Sequence, residues 1–248
     1  MSLKLRETHK IEFDAIDFTG KMTLNGLSRY MQMIAGNHAE LLGFNYYKNS
    51  DEPEYYWILS RVKYEITHYP KWEDTIHIET YPGGCDKLYA VRLFDIYNEV
   101  EEKIGQIIGD YVLMDFKTNR PVRIKGNTDA LAFLDFPYEG ETLKKLKLPK
   151  QCLKVEKRKA YYSEMDLNNH MNNAHYIRWA MDMLPMSVFE SYEISSLEIN
   201  YNASIEYGME VNVALAQDEQ GNYIVYGNSL DDTKNYFVAQ INLYAKNQ

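Results

Sequence analysis

The sequence predicts an α+β chain built from two like halves, each a long helix wrapped by a curved antiparallel sheet. Three observations carry that expectation: a local pattern that returns 149 residues later (Asp17 to Asp166), an amphipathic helix at the same place in each copy, and a run of period-two segments after each helix. The length of 248 residues suits one large domain or two small ones. Twenty-two Tyr within a 14% aromatic content favour strands and pocket walls.

The repeat opens where Asp17-Phe18-Thr19-Gly20-Lys21-Met22-Thr23 aligns with Asp166-Leu167-Asn168-Asn169-His170-Met171-Asn172. Six positions after each Asp stands a residue suited to cap a helix, Thr23 and Asn172, whose side-chain oxygen accepts from the free N–H groups of the first turn. In the first copy Leu27, Tyr30, Met31, Ile34 and Leu41 then share a helical face, and Gly43 is a natural stop. In the second copy Ile177, Ala180, Met181 and Leu184 do the same, with Pro185 as the end, and Arg29 and Arg178 stay in step. Both stripes read as core.

Alternating strands follow at Val62 to Ile66 and Leu197 to Tyr201, now 135 residues apart, and this register holds through Trp72 with Tyr207 and Ile76 with Val211. The fall from 149 to 135 places a deletion in the helix-to-strand connection, which in the first copy is the polar stretch Lys48-Asn49-Ser50-Asp51-Glu52-Pro53. Surface connections tolerate such changes cheaply. Alternation continues over 75–81, 88–97 and 105–115 in the first half and over 210–216, 223–229 and 236–244 in the second. A sheet that bends round its one helix buries both surfaces. The expected division is a first unit at 1–136, a basic linker at 137–154 and a second unit at 155–248.

Composition removes several function classes. A net charge of −9 argues against nonspecific nucleic-acid binding, which needs a surplus of Lys and Arg. Cys85 and Cys152 form no ligand-like pair, so they read as ordinary thiols in a reduced compartment. His170 and His175 lie five residues apart, which no helix places on one face, so no metal site is expected. The first residues, MSLKLRETHK, lack the apolar core of a signal peptide, and no run approaches the roughly 18 apolar residues of a membrane helix. The expectation is a soluble cytoplasmic protein with no membrane insertion.

The segment Asp166 to Ile177 resembles the D-x-N-x-H-x-N-N-x-x-Y-I block of the acyl-acyl-carrier-protein (acyl-ACP) thioesterases, and the likeness covers nearly the whole chain. It implies a tandem (double) hot-dog fold, a bacterial member similar to the plant enzymes, and no cofactor. The implied reaction is hydrolysis of fatty acyl-ACP thioesters to free fatty acid and carrier, which terminates fatty acid synthesis. The family's catalytic Asp, Asn and His fall on Asp166, Asn168 and His170. Plant members carry an acid in a context like L-E-Y-R-R-E-C after the next strand; here Asn202 stands at the acid and Ala203 at the Cys. That departure excludes a Cys nucleophile at this site. An acyl-coenzyme A thioesterase, a dehydratase of similar fold and a non-catalytic acyl-binding module are the competing readings.

A thioester is already activated, so its hydrolysis needs a positioned water, a base and donors for the developing oxyanion. Imidazole, with a reference pKa of about 6.5, is largely neutral near pH 7, which makes His170 the base candidate, and general-base action contributes about 10²- to 10⁴-fold. Asn168 can hold the water or steady the imidazole, and Asp166 can orient His170 or accept from the water. Asn202 and Asn172 are the candidates for positioning water or the carbonyl. The helix starting near Asn172 brings N–H donors, each worth about 2.7–4 kcal/mol in other oxyanion holes.

The first copy has Thr19 and Lys21 at the Asn168 and His170 positions, so it keeps the pattern without the base. The resemblance then implies an acyl-chain wall there, with Met31 and Ile34 as its residues. In the linker Lys144, Lys145, Lys147, Lys150, Lys154, Lys157, Arg158 and Lys159 stand against Glu141 and Glu156. This basic island suits an acidic acyl carrier protein within a Debye length of about 8 Å, the alternative being a solvated linker. The sequence leaves the oligomeric state open, a homodimer included.

Overall fold

The computed structural model describes residues 3–43, 55–86, 88–124, 138–140 and 142–245. The chain divides into two compact units, Met1–Val62 with Thr67–Leu143, and Lys63–Ile66 with Lys144–Gln248. The boundary expected at 136/137, the polar connection from Lys48 to Pro53, and Glu141 lie outside the described residues.

The first unit runs β1 (Leu5–Lys10), a 3₁₀ turn (Phe13–Ala15), α1 (Leu24–Leu41), β2 (Tyr55–Ile66, of which Lys63–Ile66 count with the second unit), β3 (Thr75–Asp86), β4 (Tyr89–Asn98), β5 (Lys103–Asp115) and a two-residue β6 (Arg120–Pro121). Its strand order is β1-β3-β4-β5-β2, with β6 beside β5. Helix α1 starts where expected, because Thr23 accepts the Gly26 N–H at 2.9 Å. It ends at Leu42, whose N–H bonds the His38 carbonyl, and Gly43 follows at φ +86°, a conformation glycine adopts without a Cβ clash. The buried face holds Leu24, Leu27, Met31, Ile34 and His38. Burying Met31 and Ile34 completely stabilises the unit by about 1.5–3 kcal/mol each. Leu41, expected on that face, is 62% exposed. The stripe instead advances in steps of four from Ile34 through His38 to the half-buried Leu42.

The second unit runs β7 (Lys154–Lys159), a 3₁₀ turn (Tyr162–Glu164), α2 (Asn173–Asp182), α3 (Met186–Ser191), β8 (Tyr192–Tyr201), β9 (Glu210–Gln217), β10 (Tyr223–Asn228) and β11 (Asn235–Ala245). Its order, β7-β9-β10-β11-β8, reproduces that of the first unit strand for strand. Strands β1 and β7, the two 3₁₀ turns and the two helix starts are each offset by 149 residues, as the repeat predicts. Helix α2 is the shorter, at ten residues against eighteen. Pro185 is the cause: lacking an N–H, it cannot extend α2 and instead opens the separate α3. Lys154, expected as the last linker residue, is already strand, paired with Leu215. Leu146 is tied down by its N–H to Asn200 Oδ1 at 2.7 Å. Among the described residues, no helix is long and apolar enough to cross a membrane.

Candidate active site

Asp166, Asn168 and His170 sit on the tight loop between the second 3₁₀ turn and α2. The Asp166 N–H donates to the His170 carbonyl at 2.7 Å, and the Asn169 N–H donates to the Asp166 carbonyl at 3.0 Å. Asn169 takes φ +59°, a left-handed conformation that Asn tolerates better than most residues. Asp166 Oδ1 accepts the N–H groups of Asn168 at 2.8 Å and His170 at 3.2 Å. The carboxylate therefore shapes the main chain that presents the other two side chains.

The first unit contains the same turn. There the Asp17 N–H donates to the Lys21 carbonyl at 3.0 Å, the Gly20 N–H donates to the Asp17 carbonyl at 3.0 Å, and Gly20 has φ +74°. Asp17 Oδ1 accepts from the Thr19 N–H at 2.8 Å and from its hydroxyl at 2.6 Å. The turn is thus a local property of an Asp followed by an exposed apolar residue (Phe18 or Leu167), a polar residue (Thr19 or Asn168) and a residue tolerant of positive φ (Gly20 or Asn169).

Asn168 and His170 are exposed and Asp166 is half-buried. His170 forms an isolated antiparallel bridge with Glu206, an exposed residue that the sequence pattern did not single out. Residues paired in this way project to one face with Cβ atoms about 4.5–5.5 Å apart, although the two side chains form no ion pair. In the first unit Lys21 bridges Lys71. The two offsets, 149 for the loop and 135 for the strands, carry the one pair onto the other, so the signal for Glu206 lay in the repeat.

Asn172 caps α2 as expected, its Oδ1 accepting the Ala174 N–H at 2.9 Å and its carbonyl the His175 N–H at 2.8 Å. Those two first-turn donors are therefore taken. Among the described residues the N–H of Asn173 has no partner and stays available at the positive end of the helix. Asn202 is exposed and directed elsewhere: its Nδ2 donates to Asn235 Oδ1 at 2.6 Å, and its N–H to the Tyr236 carbonyl at 2.8 Å.

Two buried groups hold the loop from behind. The Tyr176 hydroxyl accepts the Ile205 N–H at 3.0 Å and donates to the Ala203 carbonyl at 3.5 Å, while the Met171 N–H reaches the Ile205 carbonyl at 2.8 Å. Burial pushes that phenol well above its ordinary pKa, so it stays protonated. Glu164, 3% exposed, accepts from Trp179 Nε1 at 2.8 Å, Arg178 at 2.6 Å and the Tyr161 N–H at 2.9 Å. Sequence reasoning missed it because its counterpart in the first copy is Ala15.

Met31 and Ile34 are fully buried. Neither lines the cavity under the C-terminal half of α1, whose helix wall is Ala35, Gly36, Ala39 and Leu42. Lys144, Lys145 and Lys147 are exposed and form no ion pair among the described residues. The rest of the basic island is partly neutralised: Lys154 pairs with Glu156, Lys157 with Glu210, and Arg158 with both Glu156 and Asp182.

The model of the acyl-ACP thioesterase N-terminal domain matches residues 2–131, and that of the acyl-ACP thioesterase C-terminal domain matches residues 149–243. Among curated relatives, the chloroplastic oleoyl-acyl carrier protein thioesterase of Coriandrum sativum is 26% identical over 205 residues, covering 75% of this chain and 55% of the relative. The chloroplastic dodecanoyl-[acyl-carrier-protein] hydrolase of Umbellularia californica is 25% identical over 219 residues, covering 80% and 56%. The chain thus spans little more than half the length of these relatives. Among solved structures, an acyl-ACP thioesterase from Bacteroides thetaiotaomicron superposes with a TM-score of 0.86 at 22% identity, covering 98% of this chain and 100% of that one. The 12:0-ACP thioesterase from Umbellularia californica gives 0.85 at 20% identity, covering 99% of each. These likenesses establish the hot-dog type of fold.

Proposed function

This chain belongs to the acyl-ACP thioesterase family, and from that membership we propose that it hydrolyses the thioester between a fatty acyl group and an acyl carrier protein. The observation that carries the proposal is the Asp166 turn, which presents Asn168 and His170 on an exposed loop directly before the N-terminus of α2.

In the proposed reaction His170 takes a proton from water as the water oxygen attacks the thioester carbon. The carbonyl oxygen becomes an oxyanion, for which the Asn173 N–H and the positive helix end are suitable donors. Collapse of the intermediate breaks the carbon–sulfur bond, and the imidazolium returns its proton to the leaving thiolate. Asn168, with donor and acceptor on one amide, holds the water. Asp166 acts through the main chain, since its carboxylate is bonded to the N–H groups of the two residues it positions. Asn202 supplies no acid, and Glu206, across the bridge from His170, is the carboxylate suited to steady the imidazole. Lys144, Lys145 and Lys147 are the docking surface for the acidic carrier.

The test is release of free thiol from acyl-ACP and acyl-coenzyme A substrates across a series of chain lengths, with His170→Ala as control. Turnover of the carrier substrate should fall by about 10²- to 10⁴-fold in the variant, with folding intact because the ring is exposed. Acyl-ACP bound without thiol release would replace the proposal with a binding module, and a preference for coenzyme A would replace the carrier.

A further inference from the structure

A cleft of about 650 Å³ lies beside the N-terminal half of α1, wholly among residues of the first unit. That volume falls within the roughly 300–1,000 Å³ of small-molecule sites. Its polar wall includes Glu12, Arg29 and Tyr30, with Ala15 between them in the fold. Phe13, Trp72 and Met33 also line it and are exposed, and the Phe13 and Trp72 rings meet edge to face with centroids 5.6 Å apart.

The internal repeat identifies the group this wall lacks. In the second unit the Glu164 carboxylate gathers three donors, the Tyr161 N–H, Arg178 and Trp179 Nε1, at 2.6–2.9 Å. The 149-residue offset carries these donors onto the Glu12 N–H, Arg29 and the Tyr30 hydroxyl, and carries Glu164 onto Ala15. The first unit therefore has the donors without the acceptor. Their own bonds are loose: the Glu12 N–H reaches the Tyr30 hydroxyl at 3.4 Å, and that hydroxyl donates to the Lys10 carbonyl at 3.3 Å, both beyond the usual range. Arg29 gives Nη1 to Asp14 at 2.8 Å, and among the described residues its Nη2 bonds nothing. Of the carboxylates on the wall, Asp14 pairs with Arg29 and Glu73 with Lys10, and Glu12, Asp14 and Glu73 are all exposed, where water screens their charge.

We propose that this cleft binds a small aromatic carboxylate, whose anion takes in the first unit the place that the Glu164 carboxylate takes in the second, and whose ring rests against Phe13 and Trp72. The donor set selects the anion: an arginine, a main-chain N–H and a hydroxyl converge on a carboxylate through charge-assisted bonds. The walls select the ring, because exposed aromatic side chains gain from a further edge-to-face or offset-stacked partner. The site is distinct from the Asp166 loop and is measured by binding alone, so it stands or falls apart from the hydrolase reading.

The experiment is calorimetric titration of the full chain with phenylacetate, 2-phenylethanol and 2-phenylethylamine, which share a ring and differ in charge. Phenylacetate should bind at least tenfold more tightly than either of the others. Ala15→Glu installs the second unit's carboxylate in the first, with room left by Gly26, which faces Ala15 and has no side chain. It should abolish phenylacetate binding and raise the urea midpoint of the unliganded protein. Arg29→Gln changes an exposed side chain, so it tests the site even if Ala15→Glu folds poorly, and it should weaken phenylacetate at least tenfold while leaving the alcohol unchanged. No phenylacetate binding at millimolar concentration, equal affinity for acid and alcohol, or phenylacetate binding that survives Arg29→Gln or a folded Ala15→Glu would each overturn the proposal. Tighter binding of the amine would also overturn it, replacing the anion site with a cation held by the aromatic rings and the rim carboxylates.

Discussion

His170 and Glu206 meet across an isolated antiparallel bridge, at the position where the first unit sets Lys21 against Lys71. One unit thus opposes an imidazole with a carboxylate, and the other opposes two like charges. In the proposed hydrolysis this makes Glu206 a positioning residue for the base. Glu206→Gln should lower kcat about tenfold with KM within about twofold, the pattern of a lost transition-state contribution, and Glu206→Asp should recover part of it. Steady-state kinetics on acyl-ACP check this, and unchanged kcat in Glu206→Gln rules the role out.

The shared turn provides an internal control for Asp166. Asp166→Ala removes the acceptor for two N–H groups and should cost about 1 kcal/mol of stability and at least about 10²-fold in turnover. Asp17→Ala removes the equivalent acceptor and should cost similar stability while leaving turnover of the folded protein unchanged. Urea denaturation beside thiol-release assays separates the two effects. Equal loss of activity in both variants would mean that the second turn has no catalytic role of its own.

Charge reversal at Lys144, Lys145 and Lys147 should raise KM for acyl-ACP roughly tenfold at low salt and leave kcat and the KM for a small pantetheine thioester unchanged. The difference should shrink as ionic strength rises. An unaltered KM for the carrier substrate removes this segment from the docking surface.

Stability should depend on pH through His38. Burial, with the charge of Arg92 second, holds its folded pKa at about 4 against an unfolded value of 6.5. Between those values the unfolded chain binds a proton that the folded chain refuses, so this contribution is present above pH 6.5 and is lost as pH falls towards 4. His38→Gln keeps an acceptor for Arg92 and removes the titration. Urea midpoints from pH 4 to 7 should therefore fall less steeply with acid in the variant than in the wild type; parallel curves would disprove the assignment.

Local chemistry was the legible part of this chain. Thr23 and Asn172 as caps, the 149-residue offset of β1 and β7, and Asp166 with Asn168 and His170 on one loop all follow from hydrogen bonds between residues a few positions apart. Contacts set by chain segments meeting at a distance were harder to read. Glu206 is 36 residues from His170, and only the two offsets combined bring them together. Met31 and Ile34 have the right apolar character for a pocket wall, yet their size fills the core, and the cavity opens where Ala35, Gly36 and Ala39 leave volume unfilled. His38 lies on the apolar face of α1 because Arg92 meets it there, a partnership no periodicity reveals.

The loop built by Asp17 has a further meaning for how this protein can change. Its backbone carries no imprint of whether a base sits on it, so the half that holds Thr19 and Lys21 keeps a ready mount for one. Thr19→Asn, Lys21→His and Lys71→Glu would transcribe the second unit's side chains onto the first. Foldability and reactivity are written here in different letters of the same short word, which lets either be edited while the other is left as it stands.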